Sequence, residues 1–72
     1  MRETFGRRLK QRRKELGLTQ DKLGLLTGLS QTNITFYETE KREPGLFNAI
    51  CIADALGVSL DWLAGRTDKK GN

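Results

Sequence analysis

This chain of 72 residues predicts an all-α fold, and three observations carry that prediction. Glycine stops and hydroxyl caps alternate along it: Gly17 then Thr19, Gly28 then Ser30, Gly57 then Ser59, and Gly65 last. Between them, apolar residues recur at helical spacing. No stretch shows the alternation of a strand, and no repeat or low-complexity segment is present.

The first helix is expected from about Glu3 to Leu16. Glu3 suits the positive end of the helix dipole, and Gly17 supplies a stop. Phe5, Leu9 and Leu16 mark its buried stripe. Arg12 or Arg13 must lie beside that stripe, so one of them needs an internal partner. The second helix begins after Thr19 and ends at Thr27, and the third runs from Gln31 to about Glu38. A polar loop, Thr39 to Gly45, contains the only proline, Pro44. The fourth helix runs from about Leu46 to Leu56, with Leu46, Ala49, Ile52, Ala53 and Leu56 facing in. Ser59 caps a short fifth helix, LDWLA, which Gly65 ends. The closing RTDKKGN reads as a frayed tail. One domain is therefore expected over residues 1–66, with a flexible tail over 67–72.

The segment from Gln20 to Thr39, QDKLGLLTGLSQTNITFYET, is the most informative. Leu23 and Leu26 give its first helix an apolar face, and Gly24 leaves a site where another helix can approach closely. Gly28 lacks a Cβ and can adopt the positive φ that ends a helix. Leu29 plugs the turn, and Ser30 can accept from amides of the next turn. Ile34 and Tyr37, three apart, share the buried face of the following helix. Gln31, Thr32, Asn33, Thr35 and Phe36 then point outward. Their amides and hydroxyls match the hydrogen-bonding edges of bases in a DNA major groove. The spacing is that of a helix-turn-helix with a recognition helix.

Composition limits the alternatives. A chain this short buries only about 60% of its unfolded surface, and its stability should be roughly 4–11 kcal/mol. One domain is expected, with no room beside it for a catalytic or effector domain. No apolar run approaches the ~20 residues of a membrane span, and no signal-peptide core is visible. Histidine is absent and Cys51 is the sole cysteine, so no zinc site is expected. Cys51 lies in the apolar run NAICIADAL and is expected to be a buried thiol in a reducing compartment. The net charge is +4. Arg7, Arg8, Lys10, Arg12, Arg13 and Lys14 cluster in the first helix, Lys41 and Arg42 in the loop, and Lys69 and Lys70 in the tail. Such a surface favours a polyanion, nucleic acid before others. The first cluster reads equally as a soluble face or as partly phosphate-facing.

In this order the pieces resemble the Cro/repressor-like family of helix-turn-helix proteins, the group containing the small phage repressors. FGRRLKQRRKELGLTQDKLG, SQTNITFYETEKREP and IADALGVSLDWLAG carry the resemblance, from Phe5 to Gly65. It implies a five-helix, lambda-repressor-like DNA-binding domain. By resemblance, Gln31 is the first base reader, with Thr32, Asn33 and Thr35 following and Phe36 at the end of the row. Gln20 binds a phosphate and braces the recognition helix. Thr19, Thr39, Lys41 and Arg42 match phosphate-gripping positions. Arg13 and Glu38 match a salt bridge between the first and third helices, which would settle the arginine beside the stripe. Leu60 and Trp62 fall where family members often form a two-fold dimer contact.

Three positions depart from the family pattern. Gly24 stands where alanine is usual. Glu40 stands where glycine often takes a left-handed turn, so the loop is either strained or follows another path. Phe36 stands where a polar or basic residue is common, and could press on thymine methyls, pack on a sugar-phosphate edge or form a protein contact.

The implied function is a sequence-specific transcriptional regulator, a repressor, binding double-stranded DNA as a homodimer on a near-palindromic operator in the bacterial cytoplasm. It would need no cofactor, metal or membrane. A phage or prophage regulator and a restriction-modification controller both fit. The rival class is a protein-binding module such as an antitoxin or anti-repressor. No catalytic constellation is present to support an enzyme.

Overall fold

Five helices follow one another in the computed structural model, which describes residues 4–71: α1 (Phe5–Glu15), α2 (Gln20–Thr27), α3 (Gln31–Glu38), α4 (Leu46–Leu56) and α5 (Leu60–Leu63). Local chemistry sets most of their boundaries. Four helices begin on a hydroxyl that accepts from an amide three residues on. The pairs are Thr4 with Arg7 at 3.4 Å, Thr19 with Lys22 at 3.0 Å, Ser30 with Asn33 at 3.1 Å and Ser59 with Trp62 at 3.0 Å. α4 starts at Gly45 without a side-chain cap. Thr4 caps α1; Glu3, expected near the helix start, lies outside the described residues.

The core draws on every helix. Leu9, Leu23, Ile34, Ile52, Leu56 and Leu63 are fully buried, with Tyr37, Ala53, Val58 and Trp62 around them. Two glycines set the spacing of neighbouring elements. A Cβ on Gly6 would collide with the carbonyls of Tyr37 and Glu38 at the end of α3, and one on Gly24 would lie 2.6 Å from the Leu29 carbonyl. Glycine at position 24 is therefore part of the close approach.

Several burial expectations need correction. Leu16 is exposed, because it is the C-cap of α1 and projects past the last core contact. Leu26 is exposed because α2 turns Leu23 and Gly24 inward, leaving Leu26 to one side. Leu46, the first residue of α4, is 67% exposed. Cys51 is exposed. The buried positions of α4 are Ala49, Ile52, Ala53 and Leu56, and at 3.6 residues per turn position 51 faces away from them. The apolar composition around Cys51 was a weaker guide than that period.

The tail makes contacts with the domain. The Ser59 amide donates to the Lys70 carbonyl at 2.6 Å. Arg8 donates to the Thr67 carbonyl at 2.6 Å and to Asp68 at 2.9 Å. Residues 67–70 thus lie against the domain through these bonds. The cause is a buried arginine on α1 whose donors need acceptors.

Candidate nucleic-acid interface

The turn between α2 and α3 fixes how the recognition helix is presented. Gly28 adopts φ 75° and ψ 14°. The Leu29 amide then donates back to Gly24 at 3.0 Å. The Thr27 hydroxyl donates to the Leu23 carbonyl at 2.8 Å, and Leu29 packs against the core. Ser30 restarts the helix at once, so α2 and α3 meet through three residues.

A polar network locks α3 from behind. Arg13 Nε donates to Glu38 Oε2 at 2.6 Å, and its terminal nitrogens donate to Glu38 Oε1 at 3.1 Å and the Leu18 carbonyl at 2.7 Å. Only 9% of the Arg13 side chain and 2% of the Glu38 side chain are exposed. Gln20 Nε2 donates to the same Glu38 oxygen at 3.1 Å, and Gln20 Oε1 accepts from the Thr35 hydroxyl at 2.9 Å. The chain of bonds therefore joins α1, the start of α2, and the middle and end of α3. The bidentate fork suits an arginine and no other cation.

That network decides which outward groups are available. Gln31 and Thr32 are exposed on the first turn of α3, and their side chains make no hydrogen bond among the described residues. Asn33 is half-buried beside them. The Thr35 hydroxyl donates its proton to Gln20 and the Gln31 carbonyl, so what it can still offer is its methyl and an accepting oxygen. Phe36 is half-buried, and its ring lies under the guanidinium of Arg42 at 5.3 Å.

The predicted phosphate positions also separate. Thr19 accepts from Lys22, which leaves its own proton free to donate. Thr39 donates to the Thr35 carbonyl at 2.8 Å, so its proton is engaged. Gln20 braces α3 and keeps one amide proton for an outside acceptor. Lys41 and Arg42 are exposed. Glu40 does take the left-handed turn, at φ 64°, and its carboxylate accepts from the Gly6 amide at 3.3 Å. That bond anchors a conformation that favours glycine.

The basic run of α1 divides by role. Arg8, Arg12 and Arg13 are internal tethers; Arg12 donates to the Leu56 carbonyl at 3.0 Å. Arg7, Lys10 and Lys14 face solvent. The dimer edge needs correction at Trp62, which is 3% exposed. Arg8 sits 4.8 Å from its ring centroid and Lys70 Nζ 5.7 Å. Leu60 is half-buried. Sequence reasoning missed Arg8 and Gly6. Arg8 lies on the same stripe as Phe5 and Leu9, and a charge at such a position signals an internal partner.

The helix-turn-helix family model matches residues 9–63. The chain belongs to this family, in its lambda repressor-like branch. It is 35% identical over 69 residues to the uncharacterised HTH-type transcriptional regulator y4dJ of Sinorhizobium fredii, covering 96% of this chain and 90% of that protein. It is 39% identical over 59 residues to the cryptic phage CTXphi transcriptional repressor RstR of Vibrio cholerae, covering 82% and 53% respectively. The P22 c2 repressor, solved in complex with a synthetic operator, superposes with a TM-score of 0.86 at 32% identity, covering 90% of this chain and 98% of that one. The chain spans about half the length of several curated relatives that it matches. These relatives are transcriptional regulators, not enzymes. No helix among the described residues is long and apolar enough to cross a membrane.

Proposed function

We propose that this domain represses transcription by binding double-stranded DNA as a homodimer, each copy laying α3 in a major groove of a near-palindromic operator. The observation that carries this reading is the first turn of α3. Gln31 and Thr32 project there, unengaged, from a helix whose opposite face is locked by Arg13, Glu38 and Gln20. A rigid helix bearing free amide and hydroxyl groups meets the requirement of base readout, since ordering costs are met before binding. Gln31 pairs with adenine. Thr32 and Asn33 contact the neighbouring bases, and the Thr35 methyl meets the groove further along. Thr19, Gln20, Lys41 and Arg42 hold phosphates and set the register. Thr39 joins them only by giving up its bond to Thr35. Leu60 remains the candidate for the two-fold contact. The reading places the protein in the bacterial cytoplasm, without cofactor or metal.

The test is selection of bound sites from a randomised DNA library near physiological salt. Recovery of a palindrome with half-sites about ten base pairs apart supports the reading. Gln31→Ala should then cost about 1–3 kcal/mol on the recovered site and little on random DNA. Equal losses on both remove Gln31 from base readout.

A second reading, a protein-binding module, draws support from α4, where Leu46 and Phe47 are 67% and 82% exposed. Recovery of only unrelated sequences by a well-folded protein, with weak and salt-insensitive retention on heparin, would favour it.

A further inference from the structure

Phe36 is half-buried on α3, next to the exposed loop that carries Lys41 and Arg42. Three observations tie that loop to Phe36 in particular. The Phe36 carbonyl accepts from the Lys41 amide at 2.9 Å and from the Arg42 amide at 3.4 Å. The Arg42 guanidinium carbon lies 5.3 Å from the centre of the Phe36 ring. Glu40, between them in the chain, is held at φ 64° by its bond to Gly6, which turns the backbone back over the end of α3. Among the described residues Arg42 has no carboxylate partner within 4.0 Å and no side-chain hydrogen bond, so the ring is what its guanidinium rests on.

We propose that Phe36 is a positioning residue: its ring is the platform that aims Arg42 at a backbone phosphate, and it does not read bases. This rests on the DNA-binding reading above. A guanidinium held over a ring by a cation–π contact spends no hydrogen bond on a protein acceptor, so its N–H groups stay free for a bidentate contact with phosphate. The ring meanwhile limits the rotamers of a long, exposed side chain, which lowers the ordering cost of that contact. A phosphate contact aimed this way carries no sequence information. Base selection then falls to Gln31, Thr32, Asn33 and Thr35, and Phe36 sets affinity for all DNA alike.

The experiment measures binding of Phe36→Leu, Phe36→Trp, Arg42→Ala and the Phe36→Leu/Arg42→Ala double variant on the selected operator and on random duplex, across a salt series. Phe36→Leu should weaken both DNAs by a similar factor, roughly two- to five-fold for an exposed cation–π contact. Phe36→Trp should retain binding. Arg42→Ala should reduce the salt slope by about one. The double variant should be no weaker than Arg42→Ala alone. In the free protein, Phe36→Leu should abolish the ring-current shift of the Arg42 side-chain protons, a readout independent of DNA.

A loss confined to the operator, reproduced when thymines in the site are replaced by uracil, overturns the platform role and makes Phe36 a methyl reader. Additive losses in the double variant overturn it as well. An Arg42 ring-current shift with no binding of the wild-type protein to any DNA overturns the DNA-binding reading, and the phosphate-aiming role falls with it. Binding without that shift overturns the platform alone.

Discussion

Arg8 and Arg13 lie five positions apart on α1 and both are buried, yet they hold the molecule together by different means. Arg13 meets a carboxylate that is itself buried, with 2% of the Glu38 side chain exposed. Arg8 meets the carbonyls of Trp62 at 2.7 Å and Thr67 at 2.6 Å, the face of the Trp62 ring, and an Asp68 side chain that is 99% exposed. Two charges withdrawn from water depend on each other, so removing either strands the other. A buried cation served mainly by carbonyl dipoles and a ring spreads that dependence. Asp68, its carboxylate partner among the described residues, is fully in water and adds little. The first arrangement suits a place where one helix must hold a single orientation, and α3 is that helix. The second suits clasping a chain segment onto the domain.

The largest effect should therefore come from Glu38→Ala, which leaves Arg13 and Gln20 facing an empty site. Urea denaturation should show a loss of about 3–5 kcal/mol. That is a large part of the roughly 4–11 kcal/mol available to 72 residues. Replacing both partners, as Arg13→Met with Glu38→Leu, should recover much of that stability. DNA affinity should stay low, because Gln20 has lost its anchor. Recovery of both would mean that the pair is a packing device only.

Next is Gly6→Ala, which tests the seam between α1 and α3 on which the Arg13 network depends. The new methyl meets two backbone carbonyls. It should cost about 3 kcal/mol, the upper part of the overpacking range. A neutral result would show that α1 can shift without disturbing the pair.

Arg8→Met should cost less, about 1–2 kcal/mol, because among the described residues its partners are two carbonyls, a ring and the solvated Asp68 carboxylate. Limited proteolysis should at the same time cut residues 66–70 faster. Smallest is Asp68→Ala, expected at under ~0.5 kcal/mol. An Asp68→Ala effect as large as that of Glu38→Ala would erase the distinction between the two arginines.

The elements and the helix-turn-helix were legible in the residues. Thr19, Ser30 and Ser59 cap where expected, and Gly28 and Gly57 take the left-handed conformation. The Arg13–Glu38 pair came from the family resemblance, and the structure supplies its geometry. Three features were not legible. Cys51 was judged by its apolar neighbours instead of by helical period. The polar composition of the tail gives no sign of its bonds to Arg8. Phe36 falls in an outward row, and nothing local shows that the following loop folds back and sets Arg42 over its ring.

These outcomes follow from the range over which each signal acts. Caps, stops and periodic stripes work within a turn or two, so the sequence by itself determined where helices begin and end and which residues anchor the core, though Leu16, Leu26, Leu46 and Cys51 face out. The partner of a buried charge can lie 25 residues away, as Glu38 does from Arg13, or 60, as Asp68 does from Arg8. Only the packed tertiary structure decided which of four α1 arginines serves α3, which serves the tail, and which ring lies under Arg42. Desolvation is the reason: a buried donor takes whichever acceptors the fold brings to it.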